Sequence, residues 1–361
     1  MFYMIQKRPY PIIPWLVEQP TWGGSYIAAF KGLNSQLEKK IGQSYELSGK
    51  SLVPISNSIN KSIEHIVSKY PEETLGKKTY ETYKKMPLLI KFTQSYGNSF
   101  QLHVREKDSS QIWSPKPESW YFFEEGKTTL GLNPKTEIKK YKSICLKIEH
   151  YMKKLSTEIQ NKTLSLIKAQ KNAYEYVKKL NPWQYVNTYQ VQKGCVIDLS
   201  KGGIHHSWED DPTSLPHGNI VYEIQTDVDD SSSTLRSFDK GKILNNGLVR
   251  PLTIQDYFTY INTSPEDNLL SNMLCKANGE RVIKTNHYCL DEIQIDRKRK
   301  EYIEDSFVHL FVKEGSVNVS GPDGEITIQR GASCFIPFYT KKYSLSPKTL
   351  SATILKTHIL Y

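Results

Sequence analysis

In "SFQLHVREKD", Gln101 and His103 stand two residues apart in an alternating run. On a strand, that spacing puts both side chains on one face. Glu118 follows fifteen residues after His103, where "ESWYFF" opens the next strand pattern. If the two strands are neighbours, its carboxylate approaches the same face. Another imidazole is available further on, where "GCVIDLSKGGIHHSW" carries His205 beside His206. Adjacent strand residues point to opposite faces, so only one of this pair can join the set. An amide oxygen, a carboxylate and two imidazoles suit zinc or another divalent transition metal, with room left for water or substrate. Such an ion polarises bound oxygens and stabilises negative charge that develops on them.

These residues need strands to hold them. Between residues 87 and 133, "PLLIKFT", "SFQLHV", "SWYFFEE" and "KTTLGL" read as short β runs punctuated by Pro, Gly and Asn. Residues 35–86 read as mainly helical, through "SIEHIVSKYPEETLG" and "TYETYKKM". From about residue 135 the period changes. Ile144, Ile148, Tyr151, Leu155, Ile159, Leu164 and Ile167 fall three to five residues apart, as on a helix. Pro182 disfavours helix at Asn181 and ends the stretch. The β pattern then resumes at "QVQKGCVIDL" and "NIVYEIQTDV", so a helical insert at about 135–182 splits one β unit. Towards the end, "HLFVKEGSVNVSGPDGEITIQRGASCFIPF" places turn signals at the spacing of a sandwich or barrel. The expected fold is mainly β with helical segments. It has two β units of sandwich or barrel type, residues 1–245 with the insert and residues 246–361 without one.

The chain has 361 residues, 38% of them hydrophobic, enough for two compact domains with sizeable cores. No apolar run is long enough to predict a membrane span, and the opening residues lack the pattern of a signal peptide. The five cysteines are scattered without a CxxC, which indicates neither a disulfide framework nor a cysteine zinc site, and suggests a reducing cytoplasm. The net charge of +10 raises the question of nucleic acid. Residues 134–180, however, hold twelve lysines against four glutamates. The excess reads as the solvated face of the helical insert. No reading motif or stacking aromatics accompany it, so neither nucleic acid nor a membrane is expected as a partner. The oligomeric state is not encoded in any of these patterns.

Gly194, Ser200, Gly202 and His205 resemble the second cupin motif, G-x5-P-x-G-x2-H, with Ser200 at the usual proline. The match selects His205 over His206. A wider set of segments resembles the type I mannose-6-phosphate isomerases, in particular the shorter bacterial-type members. These are "PTWGGSYIAAF", "IGQSYELSG", "MPLLIKFTQSYGNSFQLHV", "KPESWYFF", "GGIHHSW" and "VYEIQTDVDDSSSTLRSFD", which run in family order from residue 21 to about 240. Departures include Gln43 and Tyr45 in the second segment and Val104 where proline usually follows the ligand histidine.

The resemblance implies two cupin-like, jelly-roll β-barrels and a zinc-dependent interconversion of mannose 6-phosphate and fructose 6-phosphate through an enediol. It implies one Zn2+ per chain, held by Gln101, His103, Glu118 and His205. Arg236 matches the family's active-site arginine, and Lys91, Lys116, Glu46 and Trp22 match residues around the phosphorylated hexose. The C-terminal domain is expected to carry no metal, because Lys341 and Lys342 stand where a ligand histidine would be sought. The alternative is a non-catalytic metal- or sugar-binding cupin with a regulatory role. Retention of all four ligands and Arg236 argues against it.

Overall fold

The computed structural model describes residues 5–56, 58–200, 203–204 and 208–361. Alternation along two strands sets the central layer. In Leu88–Ser95, Leu88, Ile90 and Phe92 enter an apolar core, while Lys91 turns the other way. In Asn219–Thr226, Ile220, Tyr222 and Ile224 enter the same core and Glu223 turns away with Lys91. These strands pair antiparallel within a six-stranded sheet. Its order is Val196–Asp198, Glu118–Phe122, Asn219–Thr226, Leu88–Ser95, Ile41–Leu47, Trp15–Glu18. A three-stranded sheet of Gly203–Ile204, Phe100–His103 and Leu235–Phe238 meets its polar face.

The C-terminal part is a second sandwich. Its six-stranded sheet runs Tyr10–Pro11, Ser333–Ile336, Val308–Glu314, Ala352–His358, Cys289–Ile295, Arg281–Lys284. A four-stranded sheet of Arg299–Tyr302, Lys342–Pro347, Ser316–Gly321 and Gly324–Gln329 lies beside it. Val308, Leu310, Val317, Leu345 and Ile354 fill the space between them. Phe311, Phe335 and Leu355 belong to the central core with Phe92 and Tyr222, which joins the two sandwiches through apolar contact. The Phe92 and Phe311 ring centroids are 5.5 Å apart, and burying one such ring stabilises by about 1.5–3 kcal/mol. All the sheets are open, so the expected jelly-roll architecture is present as layered sheets and not as closed barrels.

One local expectation is corrected in part: the stretch 35–86 opens on strands, Ile41–Leu47, Leu52–Ser56 and Ile59–Ser62, and the helices expected in "SIEHIVSKYPEETLG" and "TYETYKKM" follow at Ile63–Lys69, Pro71–Leu75 and Lys77–Tyr83. The helical insert is a hairpin, Ile138–Gln160 and Leu166–Leu180, broken without Gly or Pro. Lys162 takes a positive φ of 61° at the break, and Ser165 caps the second helix by accepting from the Lys168 N–H. Ile148 and Leu155 are buried as the stripe requires, but Ile167 is 81% exposed. The buried stripe of the second helix is Ala169, Ala173 and Val177 instead. Among the described residues, no helix is long and apolar enough to cross a membrane.

His309 sits in the central contact. Its Nε2 donates to the Glu46 carbonyl at 3.1 Å and its Nδ1 accepts from the Tyr222 hydroxyl at 3.1 Å. Burial pushes its pKa from 6.5 down to about 3. A base depressed in the folded state favours folding above its unfolded pKa and loses that advantage as pH falls towards the folded value. As pH falls from 6.5 towards 3, this one histidine is expected to cost stability, on the order of 1 kcal/mol per pH unit. Urea midpoints measured across that window for wild type and His309→Gln check it. An equally steep acid loss in the variant would assign the effect elsewhere.

Candidate functional site

The three-stranded sheet divides its side chains cleanly. Phe100, Leu102, Leu235 and Phe238 pack against the helical hairpin with Tyr141, Cys145 and Val177. Gln101 and Arg236, directly opposite each other in the pairing, turn instead to a cavity of about 150 Å³. Lys91, Lys116, Glu118 and Glu223 line it from the six-stranded sheet and its approach, with Gln43 and Trp22 from the N-terminal strands and loop. Gly42 makes room for Trp22: a Cβ there would stand 2.6 Å from the indole ring.

Phe100–His103 and Glu118–Phe122 are not neighbouring strands, as the spacing suggested; they belong to different sheets and meet face to face. His103 Nε2 lies 3.1 Å from Glu118 Oε2. The other ring nitrogen, Nδ1, is 2.7 Å from the Ser233 carbonyl. A carbonyl only accepts, so Nδ1 carries the proton and the neutral ring turns the Nε2 lone pair towards the carboxylate. Burial lowers the His103 pKa, Lys116 lowers it further, and the neutral ring is favoured. Two electron pairs this close repel unless a cation lies between them. An imidazole fixed through its far nitrogen and facing a carboxylate fits a divalent metal. Gln101 lines the same cavity. Among the described residues, no three His, Cys, Asp or Glu side chains converge. His205 and His206 lie outside the described residues.

Charge is concentrated around this pair. Asp230 joins Lys116 at 2.9 Å and Arg236 at 3.5 Å. Burial alone would raise the Asp230 pKa, but Lys116 and then Lys91 outweigh it and hold the carboxyl below its usual range. Lys91 pairs with Glu223 at 2.7 Å. Burial, followed by the Glu118 charge, pushes the Glu223 carboxyl above its usual range, against the pull of Lys91. Arg236 Nε and Trp208 Nε1 are buried without a hydrogen-bond partner among the described residues. Both are donors beside the cavity, and an oxygen-rich ligand would satisfy them.

Glu46 is not brought to the cavity. Gln43 and Tyr45 share one face of Ile41–Leu47, whereas Glu46 turns to the other and pairs with buried Lys31 at 2.6 Å. Its second oxygen accepts from the Ser333 hydroxyl at 2.5 Å, across the junction of the sandwiches. Glu46→Ala is therefore expected to destabilise by about 3–5 kcal/mol, because Lys31 is left as an unpaired buried charge. Denaturant unfolding measures the loss. A raised KM at unchanged stability would restore Glu46 to the substrate site.

Glu223, Asp230, Gln43, Trp208 and Arg250 also line the cavity and were not among the expected residues. The signal for Glu223 was present: Glu223 and Gln225 are polar residues two apart in an otherwise apolar strand. For Arg250, 41% exposed and 3.6 Å from Asp239, nothing in the local pattern marked it.

The architecture is a cupin-like β fold with helices packed on one side. Solved structures that share it over nearly the whole chain include mannose-6-phosphate isomerases. The Bacillus subtilis enzyme is 15% identical, with a TM-score of 0.68 over 98% of this chain and 100% of that one. A variant of phosphomannose isomerase from Salmonella typhimurium is 12% identical, with a TM-score of 0.71 over 98% and 100%. A zinc-bound mannose 6-phosphate isomerase is 13% identical, with a TM-score of 0.69 over 98% and 100%. At these identities the likeness defines the fold. No protein-family model matches the chain, and no curated protein sequence does.

Proposed function

We propose that this chain is a metal-dependent aldose–ketose isomerase that interconverts mannose 6-phosphate and fructose 6-phosphate through an enediol. The observation that carries the reading is the His103–Glu118 pair, two metal-type donors fixed 3.1 Å apart at a cavity ringed by charged residues. The solved structures that share the fold support the choice of reaction. Gln101, His103, Glu118 and His205 would hold one Zn2+. Bound there, the ion would polarise the substrate's carbonyl and hydroxyl oxygens and stabilise the enediolate charge.

The chain's own residues do the rest. Glu223, a carboxylate lining the cavity across from Arg236, is assigned to move the proton between C1 and C2 as the general base. Lys91 holds that carboxylate in position. Lys116 and Asp230 orient each other and Arg236 at the opposite side. Arg236 stabilises the charge on the enediolate oxygens. Arg250 adds a second guanidinium at the cavity for the phosphate. Trp22 and Lys91 bound the sugar. In this reading, residues 1–245 form the catalytic domain with its insert at 135–182, and residues 246–361 form a metal-free β domain. The test is an anaerobic assay of the zinc-loaded protein with a panel of hexose phosphates. Conversion of mannose 6-phosphate to the ketose supports the proposal; no turnover of any aldose phosphate by metal-loaded protein refutes it.

A further inference from the structure

Beside the catalytic cavity lies a larger cleft of about 490 Å³. Lys91 and Asp230 line both spaces. Trp15 and Tyr45 form one side of the cleft, paired across their strands with ring centroids 5.0 Å apart. Trp15 is 53% exposed, so a large aromatic face on an edge strand is open to solvent. Gln225, also lining the cleft, is only 1% exposed, and its Oε1 has no hydrogen-bond partner among the described residues. A buried acceptor left unpaired costs free energy that a ligand hydroxyl would recover.

Charge decides the class of ligand. Three lysines, Lys50, Lys85 and Lys91, are opposed by four acids, Glu64, Asp227, Asp229 and Asp230, and no arginine is among the described residues of the lining. Phosphate recognition relies on cations in excess, which this cleft lacks. An aromatic face bordered by amide and carboxylate acceptors suits a ring with an apolar face and hydroxyl donors at its rim. We propose that the cleft binds an uncharged sugar ring, stacked on Trp15 and Tyr45 with one hydroxyl donating to Gln225 Oε1. The binding is independent of the reaction performed next door.

Saturation-transfer NMR on the whole chain with methyl α-mannopyranoside, a ring-locked and uncharged probe, tests it. Saturation is expected to reach the ring protons, and Trp15→Ala is expected to weaken binding roughly tenfold through loss of a stacking face. Trp15 is largely exposed, so the variant should fold, which circular dichroism checks. Gln225→Met, similar in size but without the acceptor, should weaken binding as well. Absence of saturation transfer to the methyl mannoside overturns the proposal. So does equal binding by folded Trp15→Ala. Loss of isomerase activity with intact methyl mannoside binding would instead refute the catalytic reading alone.

Discussion

Arg236→Ala is expected to lower kcat roughly 10²–10³-fold, a loss of about 2.7–4 kcal/mol of transition-state stabilisation, with a smaller change in KM. Its backbone N–H donates to the Thr253 hydroxyl at 2.8 Å and its Nη1 to the Thr234 carbonyl at 3.4 Å, so the side chain is held before substrate arrives. Its charged partner is Asp230; Asp239, the neighbour in sequence, pairs with Arg250. Burial lowers the Arg236 pKa and the Asp230 charge opposes that, leaving a preorganised cation at the cavity. A group that acts on charge present only in the transition state should affect kcat more than binding. Arg236→Lys should recover only part of the rate, since an ammonium lacks the planar fork. Steady-state kinetics on mannose 6-phosphate, with metal content measured in parallel, decide the matter. Wild-type kcat in a folded Arg236→Ala variant would remove it from the mechanism.

Removal of a metal donor should have a larger effect. His103→Ala and His205→Ala are each expected to reduce bound zinc from about one per chain to near zero, and activity with it. His206→Ala should keep both. The expectation for His103 rests on its geometry: with Nδ1 committed to the Ser233 carbonyl, only Nε2 can bind an ion. Ala at position 103 removes that lone pair, while Glu118 keeps Lys116 at 3.6 Å and the Trp120 indole N–H among its partners. Elemental analysis after zinc loading and gel filtration reads the outcome without reference to catalysis. Full zinc content in the His103 variant would show that the histidine–carboxylate contact is purely structural.

The sequence made legible what depends on period. Gln101 and His103 share a face because a strand alternates, but in "IGQSYELSG" a register shift between Tyr45 and Leu47 breaks the period, so alternation alone does not say which of Gln43 and Glu46 reaches the cavity. The motif likeness pointed to Glu46, which the strand turns away from the cavity towards Lys31. Long-range pairing was not legible. Nothing near Glu118 says that its strand pairs with Asn219–Thr226, or that His103 faces it from another sheet. The helical stripe at 144–167 predicted helix correctly, yet the break after Gln160 carries no Gly or Pro and is marked only by Ser165 as a cap. Asp230 and Arg250 reach the cavity from non-strand segments, where no periodicity points anywhere.

The strand Tyr10–Pro11 pairs with Phe335 and Cys334, and the Ile12 N–H donates to the Ser333 carbonyl at 3.0 Å. This segment is thus an edge strand of a sheet otherwise built from residues 281–358. During synthesis it leaves the ribosome long before its partner exists, and it must remain unpaired until residues 333–336 have followed. Contacts this distant in sequence are slow to form because the intervening chain must be ordered first. The first sandwich can gather around its own six strands in the meantime, since domains generally fold as units from the N-terminal end. Closure of the edge is therefore a late event. A nascent chain stalled before residue 333 should leave residues around Tyr10 accessible to protease, whereas the released protein should shield them.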